Sequence, residues 1–262
     1  MPKTIRPKKS LGQNFLSDPN TARKIVASLG APPDAAVVEI GPGTGALTGE
    51  LLSRYEDLTA IEVDARSVEL LRHKYPRLDV RHTDVLEVDW DALSAEKGRR
   101  LSVIGNLPYY ITSQILFSLF EARHVLVEAV VMMQLEVAER LVAAPRTKAY
   151  GILSVFTQLY TEPSLLFRVS PHVFFPQPDV TSAVVRLVFG KGDEDLAGVD
   201  PDVLKQVVKA AFNQRRKTLR NSLHFWTRDR NVELPDDLAN KRAEELTPAA
   251  FVQLARYLAQ AA

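Results

Sequence analysis

The segment 36–52 constrains the fold most, because it joins a short apolar run, closely spaced glycines and a helical pattern. The run 36–40 (Ala-Val-Val-Glu-Ile) has the composition of a buried strand. Glycines follow it at alternate positions, as Gly41, Gly43 and Gly45. Apolar residues then recur at helical spacing, at Leu47, Leu51 and Leu52. The segment therefore predicts a strand, a glycine turn and a helix in that order.

The same alternation continues along the chain. Further apolar runs predict strands at 58–63, 78–81, 101–105 and 125–132. Helical patterns predict helices at 18–29, 65–74, 113–120, 134–141 and 152–159. Strands that alternate with helices indicate an α/β fold with a mostly parallel sheet. Two successive strands, 165–169 and 180–189, predict an antiparallel edge on that sheet.

The chain divides into three predicted parts. Residues 1–17 form a basic tail, residues 18–190 the α/β domain, and residues 191–262 a small all-helical domain. The boundary lies in the segment 190–195, which is glycine-rich, charged and free of apolar residues. All later residues have helical patterns.

Composition excludes several classes of site. The chain has no cysteine, so disulfides, zinc–cysteine sites and cysteine nucleophiles are excluded. The five histidines have no metal-like spacing, and we expect no metal site. The first 24 residues are polar and basic rather than signal-like, and no apolar run reaches the roughly 18 residues of a membrane span. We therefore expect a cytoplasmic protein without a membrane partner.

Charge is distributed unevenly although the formal net charge is only +1. Residues 1–24 and 205–230 are both strongly basic, and the middle of the chain is acidic. A basic segment is typical of a surface that contacts nucleic acid, but it is also typical of a solvated face.

The glycine turn predicts a ligand close to the backbone. In a doubly wound sheet the ligand crevice lies at the carboxyl ends of the strands, beside the first strand-to-helix turn. The spacing Gly41-x-Gly43-x-x-Ala46 also satisfies the dinucleotide fingerprint. The turn thus allows a nicotinamide cofactor, another adenosine cofactor, or a tight turn with no ligand.

Two carboxylates follow later strands at the same edge. Glu62 ends the second predicted strand, where a carboxylate accepts both ribose hydroxyls of an adenosine. Its alternative role is that of a capping or solvated carboxylate, although Asp64 is better placed to cap the next helix. Asp84 follows the third strand and is a candidate acceptor for an adenine amino group, although Asp is also common in turns.

The corner Asn106-Leu107-Pro108-Tyr109 follows the fourth predicted strand. Proline holds the preceding residue extended, so the Asn106 side chain and the Leu107 carbonyl present two acceptors to one donor group. The ring of Tyr109 offers a stacking surface beside them. This arrangement suits a planar base that carries an amino group, whereas the alternative is a strand-ending proline with buried aromatic side chains.

Four motifs in this order resemble those of the KsgA-type rRNA adenine N6,N6-dimethyltransferases. The motifs are residues 13–16 (Gln-Asn-Phe-Leu), 39–45 (Glu-Ile-Gly-Pro-Gly-Thr-Gly), 105–109 (Gly-Asn-Leu-Pro-Tyr) and 174–180 (Phe-Phe-Pro-Gln-Pro-Asp-Val). The resemblance runs from about Lys9 to the C-terminal helices. The glycine motif is shared by many S-adenosylmethionine enzymes, whereas the other three are specific.

The resemblance implies a Rossmann-like class I methyltransferase sheet with S-adenosyl-L-methionine as cofactor. It implies dimethylation of the N6 amines of two adjacent adenosines near the 3′ end of small-subunit (16S) rRNA, within a partly assembled 30S subunit, by an enzyme expected to be a monomer. The matching cofactor-binding positions are Asn14, Leu16, Gly41, Gly43, Glu62, Asp84 and Asn106. The chain departs from the commonest pattern at Tyr110, whose role is open.

Methyl transfer to N6 is an in-line displacement in which the nitrogen attacks an electrophilic methyl group. The lone pair of N6 is delocalised into the adenine ring, which makes the amine a poor nucleophile. Acceptors on both N–H bonds, such as Asn106 and the Leu107 carbonyl, favour a tetrahedral nitrogen with its lone pair directed at the methyl group. No catalytic histidine is needed, because the nitrogen becomes acidic only after the methyl group has arrived.

An unstacked target base needs aromatic side chains on which to stack, and Tyr109 and Phe174 are the candidates. Phe175 is expected to fill the core instead, because adjacent residues of an extended segment face opposite ways. If residues 212–226 are helical throughout, Phe212, Leu219, Leu223 and Trp226 form one apolar stripe. A basic ridge for RNA phosphates, or a solvated face, then lies beside it and includes Lys209, Arg216, Lys217 and Arg220. The predicted RNA-binding residues are Arg215, Arg216, Lys217 and Arg220.

Three other functions compete with this interpretation. A large-subunit rRNA methyltransferase of the antibiotic-resistance type has the same fold and a similar corner, but the full helical tail favours the small-subunit enzyme. A non-catalytic RNA-binding assembly factor is disfavoured by the intact Asn14, Glu62, Asp84 and Asn106. A nicotinamide dehydrogenase leaves the corner at Asn106 unexplained.

Overall fold

The computed structural model describes residues 5–8, 11–190, 196, 198–228 and 232–260. The chain forms two compact units. The sheet unit comprises Met1–Ala138 and Glu162–Phe189, and the helical unit comprises Glu139–Thr161 and Gly190–Ala262. The units therefore differ from the predicted division in that residues 139–161 group with the C-terminal helices. Most of the predicted linker at 190–195 lies outside the described residues.

The sheet unit contains nine strands and six helices in the described part of the chain. The strands are β1 (Phe15–Leu16), β2 (Ala36–Ile40), β3 (Asp57–Glu62), β4 (Asp79–His82), β5 (Leu101–Asn106), β6 (Leu126–Gln134), β7 (Thr161–Val169), β8 (Phe174–Phe175) and β9 (Ser182–Phe189). The helices are α1 (Pro19–Ala27), α2 (Thr48–Leu52), α3 (Ala65–Lys74), α4 (Trp90–Lys97), α5 (Thr112–Glu121) and α6 (Leu135–Leu141), the last of which ends in the helical unit.

Seven strands form the main sheet in the order β4-β3-β2-β5-β6-β9-β7. The strands β4, β3, β2, β5 and β6 pair in parallel, and β9 pairs antiparallel with β6. The chain moves outward from β2 to β4 and then returns to β5 on the other side of β2. This reversal makes the carboxyl ends of β2 and β5 the switch point, where a doubly wound sheet binds its ligand.

Local sequence accounts for several elements. Asp18 accepts a hydrogen bond from the backbone N–H of Thr21, and Pro19 opens α1. Burial of all five residues of β2 is typical of a central parallel strand. The helix α4 was not predicted, although Asp89 caps its first turn and Gly98 ends it with φ of 64°.

The helical unit contains the end of α6, α7 (Ile152–Tyr160), α8 (Pro201–Asn213), α9 (Leu219–Ser222), α10 (His224–Arg228), α11 (Asp236–Ala239) and α12 (Pro248–Gln260). Residues 139–161 belong here because Tyr150 is fully buried and its hydroxyl donates to the Leu246 carbonyl at 2.8 Å. The ring of Phe212 packs between those of Tyr150 and Phe251, with centroids 6.1 Å and 5.7 Å away. No helix in the described ranges is long and apolar enough to cross a membrane.

Residues 212–226 are not helical throughout, so the condition on which the single ridge depended is not met. Helix α8 ends at Asn213, and α9 begins only at Leu219. Between them Thr218 is extended and bridges Arg242, while the N–H of Leu219 donates to the Lys241 carbonyl at 2.7 Å. Pairing with this distant segment breaks the helix. The four apolar side chains predicted to form a stripe are nevertheless buried or half-buried: Phe212, Leu219, Leu223 and Trp226.

Candidate active site

A cavity of about 180 Å³ lies at the carboxyl ends of β2, β3, β4 and β5 in the sheet unit. It coincides with the switch point of the sheet, as the glycine turn predicts. Its wall brings together six predicted residues with the corner that follows β5. These six are Asn14, Gly41, Gly43, Glu62, Asp84 and Asn106, and the corner contributes Leu107, Pro108 and Tyr109.

Glu62 ends β3 and is only 5% exposed. Its two carboxylate oxygens accept hydrogen bonds from the backbone N–H groups of Gly43, at 2.9 Å, and of Asp64, at 2.8 Å. Burial raises the pKa of Glu62, while these hydrogen bonds act in the opposite direction. Each oxygen keeps a further lone pair, so an oriented carboxylate faces the cavity with two acceptor positions.

Gly43 is required by both conformation and space. Its φ of 56° lies in the left-handed region, and a Cβ atom there would lie 2.9 Å from the ring of Phe15. Glycine therefore lets the turn carry its N–H to Glu62 and lets the N-terminal segment lie close to the turn.

The N-terminal segment forms one wall of the cavity. The side-chain nitrogen of Asn106 donates to the Asn14 carbonyl at 3.0 Å, so this contact joins the end of β5 to that wall. The contact leaves the amide oxygen of Asn106 as an acceptor. Leu16 is different, because its side chain is buried in the core and is absent from the cavity wall. A cofactor contact by the Leu16 side chain is therefore not supported.

An ion-pair cluster anchors the same wall and was missed by the sequence reasoning. Asp64 caps α3 as predicted, and its carboxylate also binds the Arg66 guanidinium, with Nη2 at 2.5 Å. The Gln13 amide donates to Asp64 at 3.0 Å, and Lys8 Nζ lies 3.5 Å from it. The hydrogen bonds from Arg66 hold the pKa of Asp64 well below its usual range.

The corner after β5 is fixed through its backbone and one hydroxyl group. The Leu107 N–H donates to the Met132 carbonyl at 2.9 Å, and the Thr112 hydroxyl donates to the Pro108 carbonyl at 2.9 Å. The hydroxyl of Tyr109 lies 2.7 Å from that of Ser182. Tyr110 is 59% exposed, and its ring lies so close to Gly12 that a Cβ there would be 2.9 Å from it.

The assignment of Phe174 as a stacking ring and Phe175 as a core residue is wrong in this structure. Phe174 is 4% exposed and belongs to the hydrophobic core, whereas Phe175 is 65% exposed. The two rings do face opposite ways, as the extended segment predicts. Pairing of β8 with β1 places Phe174 opposite the buried Leu16 and Phe175 opposite Phe15.

Glu39 is a buried carboxyl group that the sequence reasoning did not single out. It accepts a hydrogen bond from the buried Thr48 hydroxyl at 2.7 Å, which ties β2 to α2 across the glycine turn. Burial raises the pKa of Glu39 to about 8. The group is therefore mostly protonated at neutral pH, which avoids a second buried charge near Glu62.

The basic residues predicted to bind RNA lie on a turn and a short helix rather than on one ridge. Arg216 and Lys217 are exposed on the turn after α8, and Arg220 is exposed on α9. Arg215 is instead half-buried, with its Nε 2.7 Å from a Glu244 oxygen. Its guanidinium also donates to the Thr147 carbonyl at 3.1 Å, so Arg215 stabilises the helical unit. The described residues contain no cluster of metal-ligating side chains.

Comparison with known proteins finds close relatives. The sequence profile of the family described as ribosomal RNA adenine dimethylase matches residues 5–260. The chain is 60% identical over 254 residues to the ribosomal RNA small subunit methyltransferase A of Salinibacter ruber, covering 97% of this chain and 86% of that protein. It is 47% identical over 253 residues to the protein of the same name from Chlorobium chlorochromatii, covering 95% and 93%.

Solved structures with a similar fold include a dimethyladenosine transferase and a 23S rRNA methyltransferase. A dimethyladenosine transferase from Plasmodium falciparum superposes with a TM-score of 0.76 at 24% identity, covering 92% of this chain and 95% of that one. The 23S rRNA methyltransferase ErmE superposes with a TM-score of 0.67 at 26% identity, covering 94% and 100%. These neighbours confirm the predicted Rossmann-like methyltransferase sheet with a helical C-terminal region.

Proposed function

Because the chain belongs to the ribosomal RNA adenine dimethylase family, we propose that it dimethylates the N6 amines of two adjacent adenosines near the 3′ end of small-subunit rRNA. The single observation that carries this proposal is that Glu62 and Asn106 both line one cavity. Glu62 presents oriented acceptors suited to a ribose, and the Asn106 amide is held by Asn14 with its oxygen free to accept.

S-adenosyl-L-methionine fits the donors and acceptors of the cavity. Glu62 would accept hydrogen bonds from the ribose hydroxyl groups. Both of its oxygens are buried and oriented by a backbone N–H group, and each keeps a lone pair. The turn at Gly41 and Gly43 leaves the backbone accessible beside them. One oxygen of Asp84 accepts from the Leu86 N–H at 3.0 Å, and the other is the proposed acceptor for the adenine amino group. When bound, the cofactor supplies an electrophilic methyl group.

The corner after β5 would bind the target base. In the first transfer, the amide oxygen of Asn106 and the Leu107 carbonyl would accept hydrogen bonds from the two N–H groups of N6 and favour a tetrahedral nitrogen. In the second transfer one N–H group remains, and one of the two acceptors would hold it. Pro108 holds Leu107 extended, and the ring of Tyr109 would stack on the base. The residues therefore act by orientation and electrostatic stabilisation, and none of them needs to act as a strong general base.

The exposed cations of the helical unit are the proposed RNA-binding residues. Arg216 and Lys217 belong to a turn, and the Arg220 guanidinium lies 3.5 Å from an oxygen of the exposed Asp236. Such side chains can exchange a weak surface contact for an RNA phosphate at little cost. We also place the reaction in the cytoplasm, on a partly assembled 30S subunit, with a monomeric enzyme.

Small-subunit rRNA is favoured over large-subunit rRNA as the substrate. The relatives at 60% and 47% identity are named as small-subunit enzymes, whereas the 23S rRNA enzyme is 26% identical. The cavity disfavours a non-catalytic RNA-binding role, because a protein that only binds RNA has no need of an oriented, buried Glu62 and of Asn106 in the wall of one cavity.

The test is mass spectrometry of rRNA after incubation with the protein and isotope-labelled S-adenosylmethionine. Free 16S rRNA, free 23S rRNA and 30S particles that lack adenine dimethylation are compared as substrates. We expect N6,N6-dimethyladenosine at two adjacent positions near the 3′ end of 16S rRNA. Label only in 23S rRNA, or no label in any substrate, would contradict the proposal.

A further inference from the structure

The hydroxyl of Tyr109 is anchored to a serine 73 residues away in the sequence. The Tyr109 and Ser182 oxygens are 2.7 Å apart, and Ser182 is completely buried at the first position of β9. Tyr109 is half-buried and forms part of the cavity wall. One end of this side chain is thus held inside the protein while its ring borders the proposed base-binding corner.

The topology of the sheet explains why Ser182 reaches this corner. Strands β5 and β6 run in parallel, so both end at the edge of the sheet that carries the cavity. Strand β9 runs antiparallel to β6 and pairs Ser182 with Gln134, the last residue of β6. The first residue of β9 therefore lies at the edge where β5 ends, next to the corner.

We propose that Ser182 is a positioning residue for methyl transfer, whose hydroxyl fixes the ring of Tyr109 in the orientation that stacks on the target adenine. This inference rests on the proposed function. The short turn at residues 109–111 fixes the backbone of Tyr109, with the Ile111 N–H donating to the Pro108 carbonyl. The hydrogen bond between the hydroxyl groups of Tyr109 and Ser182 fixes the far end of the ring. Rotation of the Tyr109 side chain is therefore restricted at both ends. A ring ordered before the base arrives loses less entropy on stacking.

A purely structural role for the pair predicts a different set of effects. Burial of two hydroxyl groups that satisfy each other contributes to stability wherever it occurs. In that case, removing either hydroxyl would lower the stability of the protein without a specific effect on the methylated base. The measurements must therefore separate loss of folding stability from loss of ring orientation.

The experiment is a double-mutant cycle with Ser182→Ala, Tyr109→Phe and the double variant. Single-turnover methylation is measured at saturating S-adenosylmethionine and rRNA, well below the unfolding temperature. We expect each single variant to lower the rate about tenfold and the double variant to be no slower than either, because one shared interaction is lost. Affinity for S-adenosylmethionine alone should not change.

Ser94→Ala is the matched control, because it also removes a hydrogen bond made by a buried serine. The Ser94 hydroxyl donates to the Arg99 carbonyl at 2.9 Å. Ser94 lies on α4 and does not line the cavity. We expect this control to lose stability and to keep the wild-type rate. A second readout places 2-aminopurine at a target adenosine, where stacking on Tyr109 quenches its fluorescence and Ser182→Ala reduces the quenching.

The inference would be overturned if Ser182→Ala methylates at the wild-type rate and quenches 2-aminopurine as the wild type does, while Tyr109→Ala methylates slowly. The proposed function would then stay intact. Rate losses that multiply in the double variant would also overturn it, since the two hydroxyls would then act independently. Absence of adenine methylation by the wild-type protein would instead reject the proposed function and this inference with it.

Discussion

The cavity of the sheet unit and the basic surface of the helical unit, formed by Arg216, Lys217 and Arg220, are built on opposite principles. In the cavity Glu62 is buried between two backbone N–H groups, and the half-buried Asp84 and Asn106 are each held by a hydrogen bond. On the basic surface the cations are exposed. The first arrangement suits one small ligand in one pose, and the second suits a flexible polyanion.

The difference predicts that mutations in the two regions fail in different ways. A change in the cavity should alter the rate of methyl transfer or the affinity for cofactor at any salt concentration. A change on the basic surface should weaken RNA binding in proportion to the number of phosphates that the protein no longer neutralises, and it should do so most at low salt.

The largest expected effect is that of Asn106→Ala. If Asn106 accepts from N6 mainly as the nitrogen becomes tetrahedral, the single-turnover rate should fall on the order of 100-fold to 1,000-fold at saturating S-adenosylmethionine. RNA affinity should change little. The measurement is rapid-quench methylation together with filter binding. A normal rate at saturating cofactor would mean that the corner after β5 has only a structural role.

Neutralising the basic surface should have a smaller effect on a different quantity. The variant Arg216→Gln, Lys217→Gln, Arg220→Gln should bind RNA more weakly, and the log–log slope of affinity against salt should flatten by roughly 0.7 to 0.9 for each phosphate that is no longer neutralised. The control removes three exposed cations of the sheet unit, as Arg54→Gln, Lys74→Gln, Arg77→Gln. Equal slopes for the two triple variants would show that only net charge matters.

A third prediction concerns stability rather than activity or RNA binding, namely its pH dependence. The pKa of Glu39 is about 8 in the folded protein, against 4.5 as its ordinary value. Between these values the folded state binds a proton that the unfolded state lacks, so stability should fall as pH rises from about 5 to 8. Glu39→Gln cannot ionise and should reduce this decline.

The measurement for Glu39 is the free energy of unfolding by urea at pH values of about 5.5 and about 8. Most of the expected loss of stability falls between these two values. The control is Glu69→Gln, which changes an exposed carboxylate and should keep the wild-type pH dependence. A decline in Glu39→Gln as steep as that of the wild type would contradict a protonated Glu39 in the folded protein.

Sequence reasoning predicted the cavity because local chemistry and topology determine it. Alternating glycines after a buried run specify a turn with positive φ, and a parallel sheet brings the ends of β2, β3 and β5 to one edge. Glu62 lies at the end of β3 and Asn106 at the end of β5. Because the strands are parallel, the strand assignments place both residues at the same edge of the sheet.

Three features that the sequence reasoning missed depend on pairings between distant segments. The side of β8 that Phe174 occupies is set by pairing with β1, a strand of two residues that no periodicity reveals. The helix break before Leu219 is set by residues 241–242. The hydrogen bond between Tyr109 and Ser182 depends on β9 pairing with β6. The sequence predicted an antiparallel edge but not which strand it pairs with.

Calorimetric titration of S-adenosylmethionine into the RNA-free protein tests the separation of cavity and basic surface most directly. The wild type, Glu62→Ala and the triple variant of the basic surface are compared, with circular dichroism to verify folding. Loss of the oriented carboxylate should weaken cofactor binding at least about tenfold, whereas the triple variant should bind as the wild type does. Unchanged affinity in folded Glu62→Ala, or weakened affinity in the triple variant, would contradict the account.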